Sequence, residues 1–264
     1  MLKIGIVALI IFLLAILMTM TGHGGGNFYV LTLVLAGLPM HVAATTGQFA
    51  LFTSAGAAMF IFKKGKTLSI PLALALGLLT SGMAFVGGFV AHSFSGGELK
   101  IVFSVLLTLA SVAMLLTAEA RKKEPEKKWG YWNLRNGSEI YAINLWITVP
   151  LAMATGFFSG MVGVSGGSFL VPLMVLACGV PMHIAVGTAS AMVAATALAG
   201  FAGHALHGSF DPAWAIPVAF VAIFGGALGG RIALKTKPRY LKTLFAVTTL
   251  IAAILMFVNA IGAE

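Results

Sequence analysis

Two glycine-rich stretches hold the residues best placed to do chemistry. Gly22-His-Gly24-Gly25-Gly26-Asn-Phe stands near the N-terminus, and Gly163-Val-Ser165-Gly166-Gly167-Ser-Phe stands 141 residues later. Each precedes a short apolar run. A helix that starts there has first-turn N–H groups without internal partners, and they carry partial positive charge. Glycine lets a ligand approach that backbone closely. Such a break can hold an oxyanion without a buried Arg or Lys. The competing use of the same glycines is close packing between helices.

A second pair of motifs follows. Pro39-Met-His41 and Pro181-Met-His183 lie 142 residues apart. Proline suits the first turn of a helix, where a missing N–H costs little, so both motifs read as helix entries. Thr45, Thr46 and Gln48 follow the first, and Thr188 and Ser190 follow the second. Their hydroxyl and amide groups can donate to an anion. A Thr one turn into a helix can instead cap it or bond back to a carbonyl. His41 and His183 could bind an anion or carry a proton, or simply meet water at an interface. His92, His204 and His207 sit near the ends of apolar segments and are expected to face water.

A third chemistry must be weighed. Gly163-Val-Ser165-Gly166 fits the G-x-S-G pattern of rhomboid intramembrane serine proteases, and His204 or His207 could complete a Ser-His dyad. The position equivalent to Ser165 in the first stretch is Gly24, which argues that the position serves the break in both copies. A tetrapeptide alone is weak evidence, and no enzymatic activity is expected.

The acidic residues narrow the ligand class. Glu98, Glu119, Glu124, Glu126, Glu139, Asp211 and Glu264 all lie in loops or at segment ends. Cation and proton carriers usually place Asp or Glu in their pathways, so an anion or a neutral solute fits better. Cys178 is the only cysteine, which excludes an intramolecular disulfide and a cysteine metal cage. No metal or cofactor is expected.

The elements that position these residues follow from composition. Of 264 residues, 59% are hydrophobic and 9% charged, against about 25% charged in a soluble domain. Mean hydropathy is +1.03. A soluble fold could not cover its surface with so few charges, so the chain is an integral membrane protein. Apolar segments occupy about 3–21, 26–38, 42–62, 68–91 and 99–117, then 141–162, 168–180, 184–206, 213–233 and 241–261. A polar stretch, 118–140, separates them. The opening Met1–Gly22 has the look of a signal peptide, but it lacks an A-x-A cleavage pattern and has a later counterpart, so it reads as a retained span. Lipid-facing spans must be helical.

The two halves repeat each other. Leu99-Lys100, Phe103, Val105, Ala110 and Met114 recur as Leu241-Lys242, Phe245, Val247, Ala252 and Met256, again 142 residues on. Charge then orients the halves. Fourteen of the 16 basic residues lie in three places, after the third segment, in 118–140 and after the ninth segment. The positive-inside rule makes all three cytoplasmic, and nucleic acid need not be invoked for the net charge of +9. Segment 42–62 then ends inside, whereas its counterpart 184–206 ends outside, so the repeats are inverted. Segments 26–38 and 168–180 fall short of the roughly 20 residues of a full span. Inverted repeats with short Gly/Pro-broken helices in matching places are the pattern of secondary transporters.

With these motifs the chain resembles the TauE/SafE family of bacterial membrane transporters, often called sulfite exporters. The resemblance rests on Gly163 to Pro172, on Gly179-Val-Pro-Met-His-Ile-Ala-Val-Gly-Thr188-Ala-Ser190, and on the more degenerate Gly22 to Gln48. It implies export of small sulfur oxyanions or organosulfonates such as sulfite or sulfoacetate. The expectation is therefore an all-α integral membrane protein with two inverted-topology repeats, 1–117 and 141–264, joined by a cytoplasmic loop at 118–140. It would be a multi-pass carrier of the bacterial inner membrane that works by alternating access. Gly24, Gly25, Gly26, His41, Thr45, Thr46, Gln48, Ser165, Gly166, Gly167, His183, Thr188 and Ser190 are the expected substrate-binding residues. An anion channel using the same site is the alternative within transport. The expected partners are a small anionic substrate and the lipid bilayer, with no nucleic acid and with a homodimer as an open option.

Overall fold

The computed structural model describes residues 2–91, 96–116, 129–136, 139–162, 167–205 and 210–261. Among them are eight helices of 18 to 25 residues: α1 (Leu2–Thr21), α3 (Met40–Lys64), α4 (Ile70–Ala91), α5 (Gly96–Leu116), α6 (Leu145–Val162), α8 (Met182–Ala205), α9 (Pro212–Lys235) and α10 (Pro238–Ile261). At about 1.5 Å per residue each runs for roughly the thickness of a bilayer core. Lys3–Thr21, Met182–Ala199, Pro212–Lys235 and Pro238–Leu255 are long and apolar enough to cross a membrane. Large apolar side chains stay exposed along their outer faces, including Leu9 and Leu13 on α1, Phe220 and Phe224 on α9, and Ile254 and Val258 on α10. That is the surface expected where lipid is the solvent.

Two further helices are short. α2 (Gly26–Leu35) has 10 residues. α7 (Gly167–Pro172) has six and continues as a five-residue π-helical turn, Leu173–Ala177. Pro172 has no N–H to give to the turn below it, and the backbone widens there. Either unit covers about 15 Å, half of a bilayer core. As expected, Pro39 and Pro181 stand immediately before α3 and α8, and the Pro39 carbonyl accepts from Ala43 N–H at 2.9 Å.

One element departs from expectation. Tyr131–Asn136 (β1) and Glu139–Asn144 (β2) form an antiparallel hairpin with Asn136 opposite Glu139. Loop had been expected to 140 and helix from 141, but α6 starts only at Leu145. Asn136-Gly137 is a strong hairpin signal, and Tyr, Trp, Ile and Leu around it favour extended backbone. Tyr141, Ala142 and Ile143 of β2 are buried, and Tyr141 and Ile143 join a core with Leu72, Met114, Val180 and Met182. Burial pushes the Tyr141 phenol up from its ordinary range. The Asn136 side-chain amide donates to the Lys66 carbonyl at 3.0 Å, tying the hairpin to the turn between α3 and α4.

Glycines set the helix directions. Gly225 and Gly229 of α9 meet Phe12, Ala15 and Ile16 of α1, while Gly226 and Gly230 meet Ser54, Ala58 and Ile61 of α3. Numbers rise together in both contacts, so α9 runs parallel to α1 and α3. A Cβ at Gly229 would stand 2.5 Å from the Ile16 carbonyl oxygen, so only glycine permits this approach. By contrast α8 runs antiparallel to α3, since Leu51 and Val193 both flank Gly24 while Phe62 lies against Gly187. α1 packs on α9 and α6 packs on α4; α3 packs on α8 and α5 on α10.

Candidate functional site

The first glycine-rich break is a chain of left-handed residues. Gly22, Gly24 and Gly25 have φ of +75°, +78° and +70°. Gly22 closes α1: its N–H donates to Thr19 O at 3.2 Å, and His23 N–H donates to Met18 O at 3.2 Å. This double bond around a left-handed glycine is a Schellman motif, so the Thr-Gly-His sequence itself stops the helix. Gly25 then caps α2 with no side-chain bond, and its carbonyl accepts from Phe28 and Tyr29 N–H. Gly24, Gly25 and Gly26 are all buried. Their N–H groups have no acceptor among the described residues.

The break lies at the crossing of several elements. Gly24 sits between Leu51 of α3 and Val193 of α8. Gly167, the first residue of α7, lies against the backbone of the other break: a Cβ there would be 2.5 Å from the His23 carbonyl oxygen and 2.9 Å from that of Gly22. The end of the second stretch thus touches the first. Ser165 and Gly166, named as binding residues from sequence, fall outside the described residues, as do His92, His207 and the side chains of His41 and His204.

His23 is the residue that sequence reasoning passed over. It is buried, and its ring stacks on Phe245 of α10 with centroids 4.2 Å apart. Nδ1 lies 2.9 Å from Thr21 Oγ1, and Nε2 lies 2.5 Å from Thr249 Oγ1. The signal was available, for His23 is the one titratable side chain within either glycine-rich stretch. What hid it was the partner, 226 residues away in sequence.

The matched threonines differ. Thr188 is fully buried, and its Oγ1 accepts from the N–H of Ser69, just before α4, at 3.1 Å. Thr46 is equally buried, and its Oγ1 has no hydrogen-bond partner among the described residues. An unpaired buried hydroxyl costs about 1–3 kcal/mol. Ser190 Oγ donates to Val186 O at 3.0 Å within its own helix. Thr45 is buried, and Gln48 and His183 are half-buried. Thr46 precedes Leu51, and Thr188 precedes Val193, on antiparallel helices. The two hydroxyls therefore lie on opposite sides of the Gly24 level, on the order of 20 Å apart along the pair. Gln48 falls on the side of Thr46, and Ser190 on that of Thr188.

A cluster of buried amide donors at a helix start can donate to the oxygens of an anion. Comparison with known proteins agrees with a membrane role. The family model "Sulfite exporter TauE/SafE" matches residues 7–256. "Probable membrane transporter protein YunE" of Bacillus subtilis (strain 168) is 25% identical over 232 residues, covering 84% of this chain and 85% of that protein. "Probable membrane transporter protein YdhB" of the same organism is 24% identical over 257 residues, covering 95% and 99%. "Probable membrane transporter protein MJ0441" of Methanocaldococcus jannaschii is 23% identical over 252 residues, covering 89% and 88%. No solved structure matches this chain.

Proposed function

We propose a specific transport activity from one premise: this chain belongs to the sulfite exporter TauE/SafE family of membrane transporters. It exports a small sulfur-containing anion, sulfite or a short organosulfonate, across the bacterial inner membrane. The observation that carries this reading is the first break, where the N–H groups of Gly24, Gly25 and Gly26 lie buried without an acceptor among the described residues. Buried donors at a helix start attract negative charge. No carboxylate stands within an apolar segment to repel it.

The residues divide by role. Gly24, Gly25, Gly26 and Thr46 face the anion, with Gly167 holding the second break against the first and Gln48 on the Thr46 side. Ser165 and Gly166 are added to the site from the sequence pattern alone. Thr188 and Ser190 already have protein partners, and they hold the opposite end of the pathway.

The two halves act as inverted repeats. This is supported by α3 and α8 running antiparallel, by the half-length helices at matching positions, and by the packing of α1 on α9, which matches that of α6 on α4. Rocking of one repeat on the other alternates access to the site. The inside-negative potential favours outward anion movement by about 2.3 kcal/mol per charge per 100 mV.

The test is efflux from proteoliposomes loaded with sulfite, sulfate, thiosulfate or a short sulfonate. Saturable efflux of sulfite or a sulfonate, accelerated by external substrate, is the expected result. Flux that does not saturate makes the protein an anion channel, and no flux of any member refutes the substrate class.

A further inference from the structure

We propose that His23 is a proton site of this transporter, and that the imidazolium formed there is the counter-charge of the transported anion. The second clause rests on the anion reading above; the first stands on hydrogen-bond geometry alone.

The geometry is a matter of counting protons. The Thr21 hydroxyl lies 3.0 Å from Met18 O, with Leu17 O farther away at 3.4 Å. The Thr249 hydroxyl lies 2.8 Å from Phe245 O. Each hydroxyl has one proton, and a carbonyl can only accept. With both protons given to carbonyls, both threonine oxygens turn lone pairs toward the ring. The ring must then donate from Nδ1 and from Nε2 at once. A neutral imidazole has one N–H, and only the imidazolium has two. The protonated ring completes all four bonds. The neutral ring leaves one nitrogen facing a lone pair, unless a threonine abandons its carbonyl.

Charge opposes this. A buried cation without a partner is costly, and the surroundings offer none. α1 carries only Lys3, at its far end, and α7 with its π-turn carries no titratable group. On α10, Arg239, Tyr240 and Lys242 all precede Thr249 by seven residues or more, about 10 Å along the helix. The helices flanking Gly24 carry His41, Lys63 and Lys64 on α3 and His183 and His204 on α8. None of these helices carries a carboxylate that could face the ring. The hydrogen bonds favour the cation and the missing counter-charge disfavours it. An anion at the amides of Gly24–Gly26, the residues that follow His23, supplies what is missing. Proton and anion binding therefore reinforce each other, and by linkage each raises the affinity for the other equally. Because the ring bridges Thr21 of α1 to Thr249 of α10, its protonation also tightens a contact between the two halves.

The experiment is 15N NMR of the full chain, labelled at histidine, in lipid nanodiscs. The His23 signals are assigned by their loss in His23→Gln. Between about pH 8 and pH 5, the expected result is conversion of His23 to a ring with both nitrogens protonated. Saturating sulfite should raise its proton affinity about tenfold. Thr249→Val, which removes one acceptor, should lower the protonated fraction and serves as a second assay should His23→Gln not fold. A ring that keeps a single N–H down to pH 5, with and without sulfite, overturns the proton site. A ring that titrates identically with and without sulfite, in a preparation that exports sulfite, overturns the counter-charge role. Titration in a preparation that transports no anion upholds the proton site and refutes the anion reading separately.

Discussion

Thr46 and Thr188 occupy the same place in the two halves and have opposite surroundings. Both are fully buried one to two turns into a long helix that a proline opens. At Thr188 the neighbouring helix pair has come close: Gly187 lets the Thr67 carbonyl approach, and Ser69 N–H reaches the Thr188 hydroxyl. In the first half the residue matching Gly187 is Thr45, and the Thr46 hydroxyl has no partner among the described residues. The Thr188 hydroxyl is engaged by a protein group, and the Thr46 hydroxyl is left with none among the described residues. Two matching stretches can thus pair one residue type with the protein in one place and leave it unpaired in the other. The choice is made by whether a backbone N–H arrives.

The sharpest way to break this comparison is to block the level between the two threonines. Gly24→Val puts a branched side chain at φ +78° between Val193 and Leu51. Strain and overpacking together cost several kcal/mol, and efflux should be abolished. Gly82→Val on α4, where a Cβ meets open space, is the control that should still transport.

Next is Thr46→Val. It removes a hydroxyl that bonds nothing among the described residues, so thermal stability should stay level or rise slightly. A hydrogen bond to a charged group is worth about 1.5–3 kcal/mol, so anion affinity in the efflux assay should fall about tenfold or more. Unchanged affinity would remove Thr46 from the site.

Thr188→Val should do the reverse. It orphans the Ser69 N–H at a cost of about 1–3 kcal/mol, which lowers the melting temperature of the detergent-solubilised protein, and Thr188→Ser should restore it. Substrate affinity should change by less than in Thr46→Val. A larger affinity loss at Thr188 than at Thr46 would invert the assignment.

The smallest effect is expected from replacing His41 and His183 together with Gln. With His23 as the proton site, the pH dependence of efflux should persist in this double variant and disappear in His23→Gln. A pH profile flattened by the double variant would return the role to the helix entries.

Much of the fold was legible because lipid imposes few choices. The apolar runs matched helices, the two prolines marked the starts of α3 and α8, and the short runs at 26–38 and 168–180 became half-length helices. The hairpin at 131–144 was misread as loop and helix start. A polar stretch between apolar segments draws attention to its charges, and the Asn136-Gly137 turn signal was passed over. Of the proposed binding residues, the glycines of the first break are singled out by their types and spacing. His23 was not, because its meaning depends on Thr249 and Phe245 in the other half.

By itself the sequence determined the membrane class, the breaks and the family, since each is a pattern along the chain: apolar length, glycine where a helix must stop, motifs at fixed places. Only the tertiary structure decided which buried hydroxyl has a partner, which glycines let backbones touch, and that one histidine faces two threonines. Those are contacts between segments far apart in sequence. No local pattern encodes whether a donor finds its acceptor.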